Sequence, residues 1–249
     1  MKLDRVIAVR NNKTIYRDGN RCIKVFNEDF SKADVLNEAL NQSIIEETGL
    51  NIPKVIEVTT MDGKWAIVSE YIKGKTLAQL IKEDVEKKAE YIEKLVELQL
   101  QIHEKTSKKL VTQKSVFDRK IKESTLDATT RYDLRMCLES MTETAQVCHG
   151  DLDPTNIVIT DEGEAYILDW SNATQGNSLA DAARTYLLFW LSGDITGADL
   201  YLDLFCKKSD TPKQLVQKWM PIVAAVQSTE GNAVEREFLL SWVKVVDYQ

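Results

Sequence analysis

The stretch "CHGDLDPTNIVITDEGEAYILDW", Cys148–Trp170, decides the fold class. Two short apolar runs, "NIVI" and "AYIL", lie on either side of turn residues at Asp161–Gly163, and this pattern predicts an antiparallel pair of strands. Asn156 starts the first run and Asp169 follows the second, so strand pairing would bring the two side chains close together. Asp151 lies at the other end of the loop that leads to Asn156. We therefore expect three oxygen-bearing side chains to converge at one edge of a small sheet.

These three side chains form a pattern that is typical of phosphoryl transfer. Oxygen ligands in an incomplete protein set suit Mg²⁺, which keeps water molecules and substrate phosphate oxygens as its remaining ligands. The order Asp-x4-Asn, followed by Asp after a hairpin, is that of protein-kinase active sites. By that analogy Asp151 would accept the proton of the attacking hydroxyl, and Asn156 and Asp169 would hold the metal. The protein then supplies positioning and charge neutralisation.

The residues before this stretch are rich in strand signals. Asp18-Gly19 and Asp62-Gly63 are hairpin turns within β-branched and aromatic segments. Between them lies one helical pattern, for which Ser31 is a favourable N-cap and Gly49 a stop. We therefore expect an antiparallel-sheet N-lobe with one helix, residues 1–72, which would bind the nucleotide.

From residue 73 onward the apolar residues recur mainly at the helical period. We expect helical structure from Leu77 to about Lys105, further helices near 115–124 and 127–144, and helical structure from Leu179 to the end. Breaks in the last segment are expected at Gly193, Gly197, Pro212 and Pro221. The fold class is therefore α+β, with an antiparallel-sheet N-lobe and a larger, mainly helical C-lobe. Its larger C-lobe, residues 73–249, would carry the catalytic loop, the metal site and the acceptor pocket.

Composition excludes several classes of function. The net charge of −7 and the pI of about 5.1 argue against a basic nucleic-acid-binding surface. No two of the four cysteines form a CxxC pair. Such spacing is typical of a protein in a reducing compartment rather than of one with a disulfide framework. The sequence begins without a signal-peptide pattern, and its longest apolar run, "YLLFWL", is too short to span a bilayer. We expect a cytoplasmic protein with no nucleic-acid or membrane partner, and we favour a monomer.

The motif "CHGDLDPTNIVI…YILDW" resembles the HGDxHxxN and D-[FW] signatures of the aminoglycoside phosphotransferase and choline kinase family, which has a protein-kinase-like fold. The resemblance extends over nearly the whole chain. "RCIKVF" looks like the strand with the phosphate-binding lysine, Lys24, and "LNEALNQ" like the helix with its partner glutamate, Glu38. "AIVSEYIKGKTL" looks like the hinge, which would place Glu70 and Ile72 at the nucleotide base. "LADAARTYLL" looks like the segment whose aspartate, Asp181, braces the catalytic loop.

The resemblance implies a Mg²⁺-dependent kinase that transfers the γ-phosphate of ATP, or of GTP, to a hydroxyl group. The acceptor would be a small molecule such as an aminoglycoside, an amino alcohol or a sugar. Asp151 would be the catalytic base, Asn156 and Asp169 the metal ligands, and Lys24, oriented by Glu38, the ligand of the α- and β-phosphates. His149 and Asp181 would support the loop. We assign His103 to a helix end or the core.

Two departures from the family pattern keep an alternative open. Asp153 stands where family members usually have histidine, and "AVRNNKTIYR" lacks the glycines that protein kinases place over the phosphates. A tight turn at Asn11-Asn12 would have to present backbone amides instead. A non-catalytic pseudokinase that binds nucleotide or a protein partner is the alternative. A protein substrate is disfavoured, because the segment from Asp169 to Asp181 is too short for a long activation segment.

Three tryptophans of the C-terminal region, Trp190, Trp219 and Trp242, suggest an aromatic cage for a cationic acceptor when they are taken with nearby carboxylates. We favour the simpler interpretation that these tryptophans belong to the core and that the carboxylates are solvated. The acceptor pocket is expected to be formed mostly by the residues from Ala180 onward.

Overall fold

The structure is a computed structural model that describes residues 5–10, 12–230 and 233–243. The chain divides into two compact units. The first comprises Met1–Val85 together with Pro154–Asn172, and the second comprises Glu86–Asp153 together with Ala173–Gln249. The predicted α+β class is confirmed, with an antiparallel sheet in the N-terminal region and helices in the C-terminal region.

The first unit is built on a five-stranded antiparallel sheet with the strand order β1-β2-β3-β5-β4. Both predicted hairpins are present, and they join β2 to β3 and β4 to β5. The strands are β1 (Arg5–Val9), β2 (Lys13–Asp18), β3 (Arg21–Phe26), β4 (Val55–Met61) and β5 (Lys64–Glu70).

Helix α1 (Lys32–Glu46) covers one face of this sheet. It begins as predicted at Ser31, whose side chain accepts a hydrogen bond from the amide of Asp34 and so satisfies one of the donors exposed at the first turn. Val35 and Ala39 are one helical turn apart and pack with buried residues of β3 and β5. Glu38, between these two positions, is consequently also buried.

A second, three-stranded sheet in the first unit has the order β6-β8-β9. Its strands are β6 (Gly74–Thr76), β8 (Ile157–Thr160) and β9 (Ala165–Ile167), and helix α2 (Leu77–Glu83) follows β6 directly. A β-carbon at Gly74 would collide with the carbonyl of Ile159, so the missing side chain permits this pairing. The antiparallel β8–β9 pair is as predicted, whereas β6 was not predicted. Because β6 pairs with β8, residues 154–172 group with the N-terminal part, and the division at residue 72 stays a prediction.

The second unit is mainly helical. Its one small sheet, among the residues described, pairs β7 (Gln146–Cys148) with β10 (Thr174–Gly176). Its helices are α3 (Lys88–His103), α4 (Gln113–Glu123), α5 (Ala128–Ser140), α6 (Ser178–Leu191), α7 (Ile195–Lys208), α8 (Lys213–Gln217), α9 (Met220–Gln227) and α10 (Ala233–Val243). No helix in the described ranges is long and apolar enough to cross a membrane.

The helical structure expected from Leu77 to about Lys105 is present as α2 and α3, and Asp84 separates them because it leaves helical geometry with φ −137° and ψ 84°. One predicted helix break is wrong. Gly197 does not break a helix but lies in the first turn of α7. Its amide donates to the N-cap side chain of Asp194, which occupies the space that a β-carbon at Gly197 would need. This glycine therefore permits the helix to begin.

Candidate active site

A buried ion pair joins the main sheet of the first unit to α1. Lys24 lies on β3 opposite Ile67, and its Nζ is 2.8 Å from Oε1 of Glu38. The side chains of Lys24 and Glu38 are 12% and 5% exposed. The structure thus brings together the lysine and the glutamate that the sequence pairs.

Asn156 and Asp169 flank the end of the β8–β9 pair. A short 3₁₀ helix, Pro154–Asn156, leads into β8, and the amide of Leu168 donates to the carbonyl of Asn156 at 2.8 Å. Asp169 follows with a φ of 59°, a left-handed conformation that costs a non-glycine residue free energy and that often occurs at functional sites. One carboxylate oxygen of Asp169 is 3.3 Å from Nζ of Lys24. Strand pairing therefore positions both proposed metal ligands in the first unit.

Lys13 also contacts these carboxylates, and the sequence analysis missed it. Its Nζ is 3.1 and 3.3 Å from the two carboxylate oxygens of Asp169 and 3.4 Å from Glu38. The register of the β2–β3 hairpin could have identified Lys13 as a neighbour of Lys24, because Lys13 pairs with Phe26 and Ile15 pairs with Lys24. Paired residues of an antiparallel sheet share a face, so both lysines point to the α1 side.

The electrostatics of this cluster favour the charged form of each group for which a pKa shift is resolved. Burial works against the charge on Lys24, but the carboxylates of Asp169 and Glu38 outweigh it and raise the pKa of Lys24 above its usual value. Burial likewise opposes ionisation of Asp169, but Lys24 and Lys13 outweigh it and hold the pKa of Asp169 well below its usual range. The formal charges of the four side chains sum to zero.

The donor set in the first unit fits Mg²⁺ rather than a metal that needs a complete protein cage. In the part of the chain that the structure describes, no group of three or more His, Cys, Asp or Glu side chains could hold a metal ion. Asn156 and Asp169 offer one amide and one carboxylate. Mg²⁺ accepts such a partial set, because water and phosphate oxygens complete its octahedron.

The second unit contains Asp151, at the end of the "HGD" segment that follows β7. The amide of Asp151 donates to Nδ1 of His149 at 3.1 Å, and the ring of His149 is completely buried. Since Nδ1 accepts this bond, a neutral His149 carries its proton on Nε2. The contact holds the backbone at Asp151 rather than its carboxylate.

Asp181, on α6, accepts hydrogen bonds from the same segment. The amides of Gly150 and His149 donate to its two carboxylate oxygens at 2.7 and 3.3 Å. Nε2 of His103 lies 2.9 Å from the carboxylate, and the side-chain amide of Gln99 donates at 3.3 Å. Burial alone would raise the pKa of Asp181, but these contacts, led by the one with His103, lower it. The sequence assigned His103 to a helix end or the core, and it is the buried last residue of α3.

Arg184 is a second residue that the sequence analysis missed. Its Nε donates to the carbonyl of Gly150 at 3.1 Å, and its Nη2 donates to a carboxylate oxygen of Asp151 at 2.9 Å. The side chain is only 10% exposed. Arg184 lies one helical turn after Asp181 on α6, and that spacing places both side chains on one face of the helix. One face of α6 therefore holds both the backbone and the carboxylate of the loop.

Comparison with known families identifies the chain. Residues 9–207 match the model of the phosphotransferase enzyme family, whose short name is APH. The chain belongs to this family. No curated protein sequence matches the chain. The protein is therefore a phosphotransferase, and the family match covers both clusters described above.

Solved structures confirm the kinase-like fold of this phosphotransferase. A thermostable mutant of the aminoglycoside phosphotransferase APH(4)-Ia in its apo form has a TM-score of 0.72 at 16% identity, over 99% of this chain and 94% of that one. The choline kinase LicA from Streptococcus pneumoniae has a TM-score of 0.67 at 15% identity, over 100% and 94%. A choline/ethanolamine kinase family protein from Mesorhizobium loti has a TM-score of 0.65 at 14% identity, over 100% and 89%.

The two residues predicted to lie at the nucleotide base, Glu70 and Ile72, are at the end of β5 and in the segment after it. The amide of Glu70 donates to the carbonyl of Lys54 at 3.0 Å, and its carboxylate accepts from the amide of Lys54 at 3.1 Å. Ile72 is half-buried between β5 and β6. Asp153 is half-buried. Asn11, part of the predicted tight turn, lies outside the described residues.

A cavity of about 590 Å³ lies in the second unit. Residues of α4, of the segment between α5 and β7, and of β10 line it, and Trp219 contributes to its wall. Trp190 and Trp242 lie elsewhere in the unit, with ring centroids 5.6 Å apart. Asp194, a carboxylate of the same region, pairs with Lys88. Of the three tryptophans, only Trp219 lines this cavity.

Proposed function

We propose that the protein is a Mg²⁺-dependent small-molecule kinase that transfers the γ-phosphate of ATP or GTP to a hydroxyl group. The observation that carries the proposal is the buried cluster of Lys24, Glu38 and Asp169 beside Asn156, in a chain of the phosphotransferase family. Phosphoryl transfer requires that charge on the phosphates be neutralised and that the reacting oxygens be aligned. This cluster offers the cations and the oxygen ligands for those tasks.

Each residue of the cluster has a distinct part in this mechanism. Asn156 and Asp169 would hold Mg²⁺, which neutralises charge on the phosphate oxygens when it is bound. Lys24 would bind the α- and β-phosphates, and Glu38 would fix the direction of its ammonium group. A buried ammonium held by a carboxylate loses little further conformational entropy on binding phosphate. Backbone groups around Glu70 and Ile72 would bind the nucleotide base.

Asp151 would accept the proton of the attacking hydroxyl. A base must be correctly aimed, and the guanidinium of Arg184 would orient the carboxylate of Asp151 through its contact at 2.9 Å. His149 and Asp181 would hold the backbone on either side of the base, which limits the movement of the carboxylate. The chain retains a complete set of the residues that phosphoryl transfer needs, so no observation favours the pseudokinase alternative.

The similar structures support a nucleotide and a small acceptor. Crystal structures of thermostable APH(4)-Ia mutants include ternary complexes with hygromycin B and either AMP-PNP or ADP. Two further similar proteins are a choline kinase and a choline/ethanolamine kinase family protein. An aminoglycoside, an amino alcohol or a sugar is therefore the class of acceptor to examine first. A shared fold does not fix the substrate, and the choice between ATP and GTP stays open. The cytoplasmic location and the monomeric state also stay predictions.

The proposal is tested by an acceptor screen that measures release of nucleoside diphosphate. Purified protein is incubated with Mg²⁺, with ATP or GTP, and with aminoglycosides, choline, ethanolamine and sugars. Asp151→Asn should lower kcat by at least about 100-fold, since it removes the base. Asp161→Asn is the matched control, because its carboxylate is exposed and pairs only with the exposed Lys73 among the ion pairs described. Undiminished turnover by D151N would refute the role of Asp151.

A further inference from the structure

We propose that Lys13 is a second phosphate-binding residue of the nucleotide site and supplies the contact that glycine-rich loops provide in protein kinases. The inference rests on the proposed function, which it extends. Lys13 is the first residue of β2, directly after the segment that connects β1 to β2. The amide of Arg10 donates to the carbonyl of Lys13 at 2.8 Å, which fixes the chain at the end of that segment.

Burial is the first argument for a ligand role. The side chain of Lys13 is only 9% exposed, although lysines at strand ends are ordinarily solvated. A buried ammonium is costly unless carboxylates or other acceptors surround it. Here it is shared between Asp169 and Glu38 at 3.1–3.4 Å, and it lies 5.8 Å from the ring centroid of Phe26. The fold therefore holds two lysines against the same two carboxylates.

The distances at which Lys13 and Lys24 share the two carboxylates are the second argument. Glu38 is closer to Lys24, at 2.8 Å, than to Lys13, at 3.4 Å. The closer contacts of Lys13 are those with Asp169, the proposed metal ligand. An ammonium group donates three hydrogen bonds, so Lys13 has the capacity to exchange a carboxylate contact for a phosphate oxygen. If Asp169 held Mg²⁺, its carboxylate would be engaged by the metal, and Lys13 would be available to bind phosphate.

The charge count is the third argument. Lys13, Lys24, Glu38 and Asp169 sum to zero, so Mg²⁺ alone would leave two uncompensated positive charges beside two ammonium groups. A triphosphate carries up to four negative charges at neutral pH, so its complex with one Mg²⁺ would bring this sum to −2, and both ammonium groups would then face an excess of phosphate charge. The sequence from Ala8 to Arg17 contains no glycine, and a side-chain cation at its centre offers phosphate contact without close approach of the backbone.

The test compares binding of a triphosphate with binding of a nucleoside. Isothermal calorimetry measures the affinity of the wild-type protein and of Lys13→Met for adenosine and for AMP-PNP with Mg²⁺, or for the guanine counterparts if the wild type prefers them. We expect K13M to weaken triphosphate binding by about 10–100-fold, and nucleoside binding by less than about twofold. Lys64→Met, which alters an exposed lysine of the same sheet, should change neither affinity.

Three results would overturn the inference. Unchanged triphosphate affinity in a folded K13M would exclude phosphate binding by Lys13. An equal loss for triphosphate and nucleoside would show that Lys13 only balances charge in the fold. If the wild-type protein bound no nucleotide, the proposed function would fail and the inference with it; the first two results leave the proposed function intact.

A labelling experiment on the wild-type protein keeps the inference testable if K13M does not fold. An acyl-phosphate derivative of ATP transfers its acyl group to lysine amines near the phosphates, forming an amide and releasing ATP. Mass spectrometry of the digested protein then identifies the acylated lysines. We expect labelling of both Lys13 and Lys24, suppressed by excess ATP with Mg²⁺. Labelling of Lys24 without Lys13, or of neither, would refute the inference.

Discussion

Replacement of Asp181 tests how strongly the loop at Asp151 depends on α6. The carboxylate of Asp181 is fully buried and faces the two loop amides, His103 and Gln99. Asp181→Ala leaves these buried groups without their acceptor. Breaking such a buried charged network costs about 3–5 kcal/mol of the free energy of unfolding. Because typical stabilities are about 5–15 kcal/mol, this variant will be at the limit of folding.

Asp181→Asn is the more informative variant. The side-chain oxygen of the asparagine can still accept the hydrogen bond from the amide of Gly150. The NH₂ group of the asparagine, however, would face the amide of His149, and a backbone N–H can only donate a hydrogen bond. His103 and Gln99 can reverse theirs, through the other tautomer and an amide flip. We therefore expect a loss of about 2–3 kcal/mol, which corresponds to a shift of about 1–2 M in the midpoint of urea unfolding.

Activity provides a second measurement on the same variant. The amide of Gly150 binds the side chain at position 181, and Gly150 is the residue directly before Asp151. D181N should therefore lower kcat by about tenfold or more, while KM for the nucleotide stays within about twofold. Asp203→Asn is the control, because this exposed carboxylate of the same unit pairs with Lys213 at the surface. If D181N unfolds within about 0.5 kcal/mol of the wild type, the network does not brace the loop.

Three further predictions follow from the remaining contacts. Arg184→Met should lower kcat at least about tenfold and lower the free energy of unfolding by about 2–3 kcal/mol, because two buried hydrogen-bond donors are lost. An unchanged kcat in steady-state kinetics would contradict this prediction. Glu38→Gln should weaken triphosphate binding about tenfold in calorimetry, with the exposed Glu28→Gln as control, because Lys24 loses its nearest charged partner. The lowered pKa values of Asp169 and Asp181 predict a pH dependence. Their stabilisation is complete above the unfolded pKa of about 3.9 and is lost as pH falls toward the folded values, so the free energy of unfolding should fall below about pH 4, and less steeply in D181N.

Local turn chemistry explains why much of the first unit could be predicted. An Asp-Gly pair between two strand-like runs fixes both the hairpin and its register. That register places Lys24 on the face covered by α1, and the N-cap at Ser31 begins the helix that carries Glu38. The β8–β9 hairpin similarly brings Asn156 and Asp169 together. In each case the determining residues are neighbours in the sequence.

The missed residues depend on contacts between distant segments. Lys13 has the sequence pattern of an ordinary strand-end lysine, and only the strand register, followed two residue pairs beyond Lys24, places it on the same face. The role of Arg184 can be recognised only once one face of α6 is known to pack against the "HGD" segment. The short strand β6 has no pattern of its own, because its three residues are held by pairing with β8. Tertiary contacts that cross the chain cannot be derived from local propensity or periodicity.

The buried cluster of Lys13, Lys24, Glu38 and Asp169 is better explained by function than by stability. Replacement of a buried ion pair by apolar residues of similar volume is often neutral or stabilising, so a need for stability does not account for this cluster. The same sheet face has an apolar alternative beside it, in the packing of Phe26 and Ile67 against α1. Keeping two ammonium groups dehydrated and adjacent is costly in the absence of a ligand, but it means that they have lost their water before a phosphate arrives. Such preorganisation is the property that phosphoryl transfer requires.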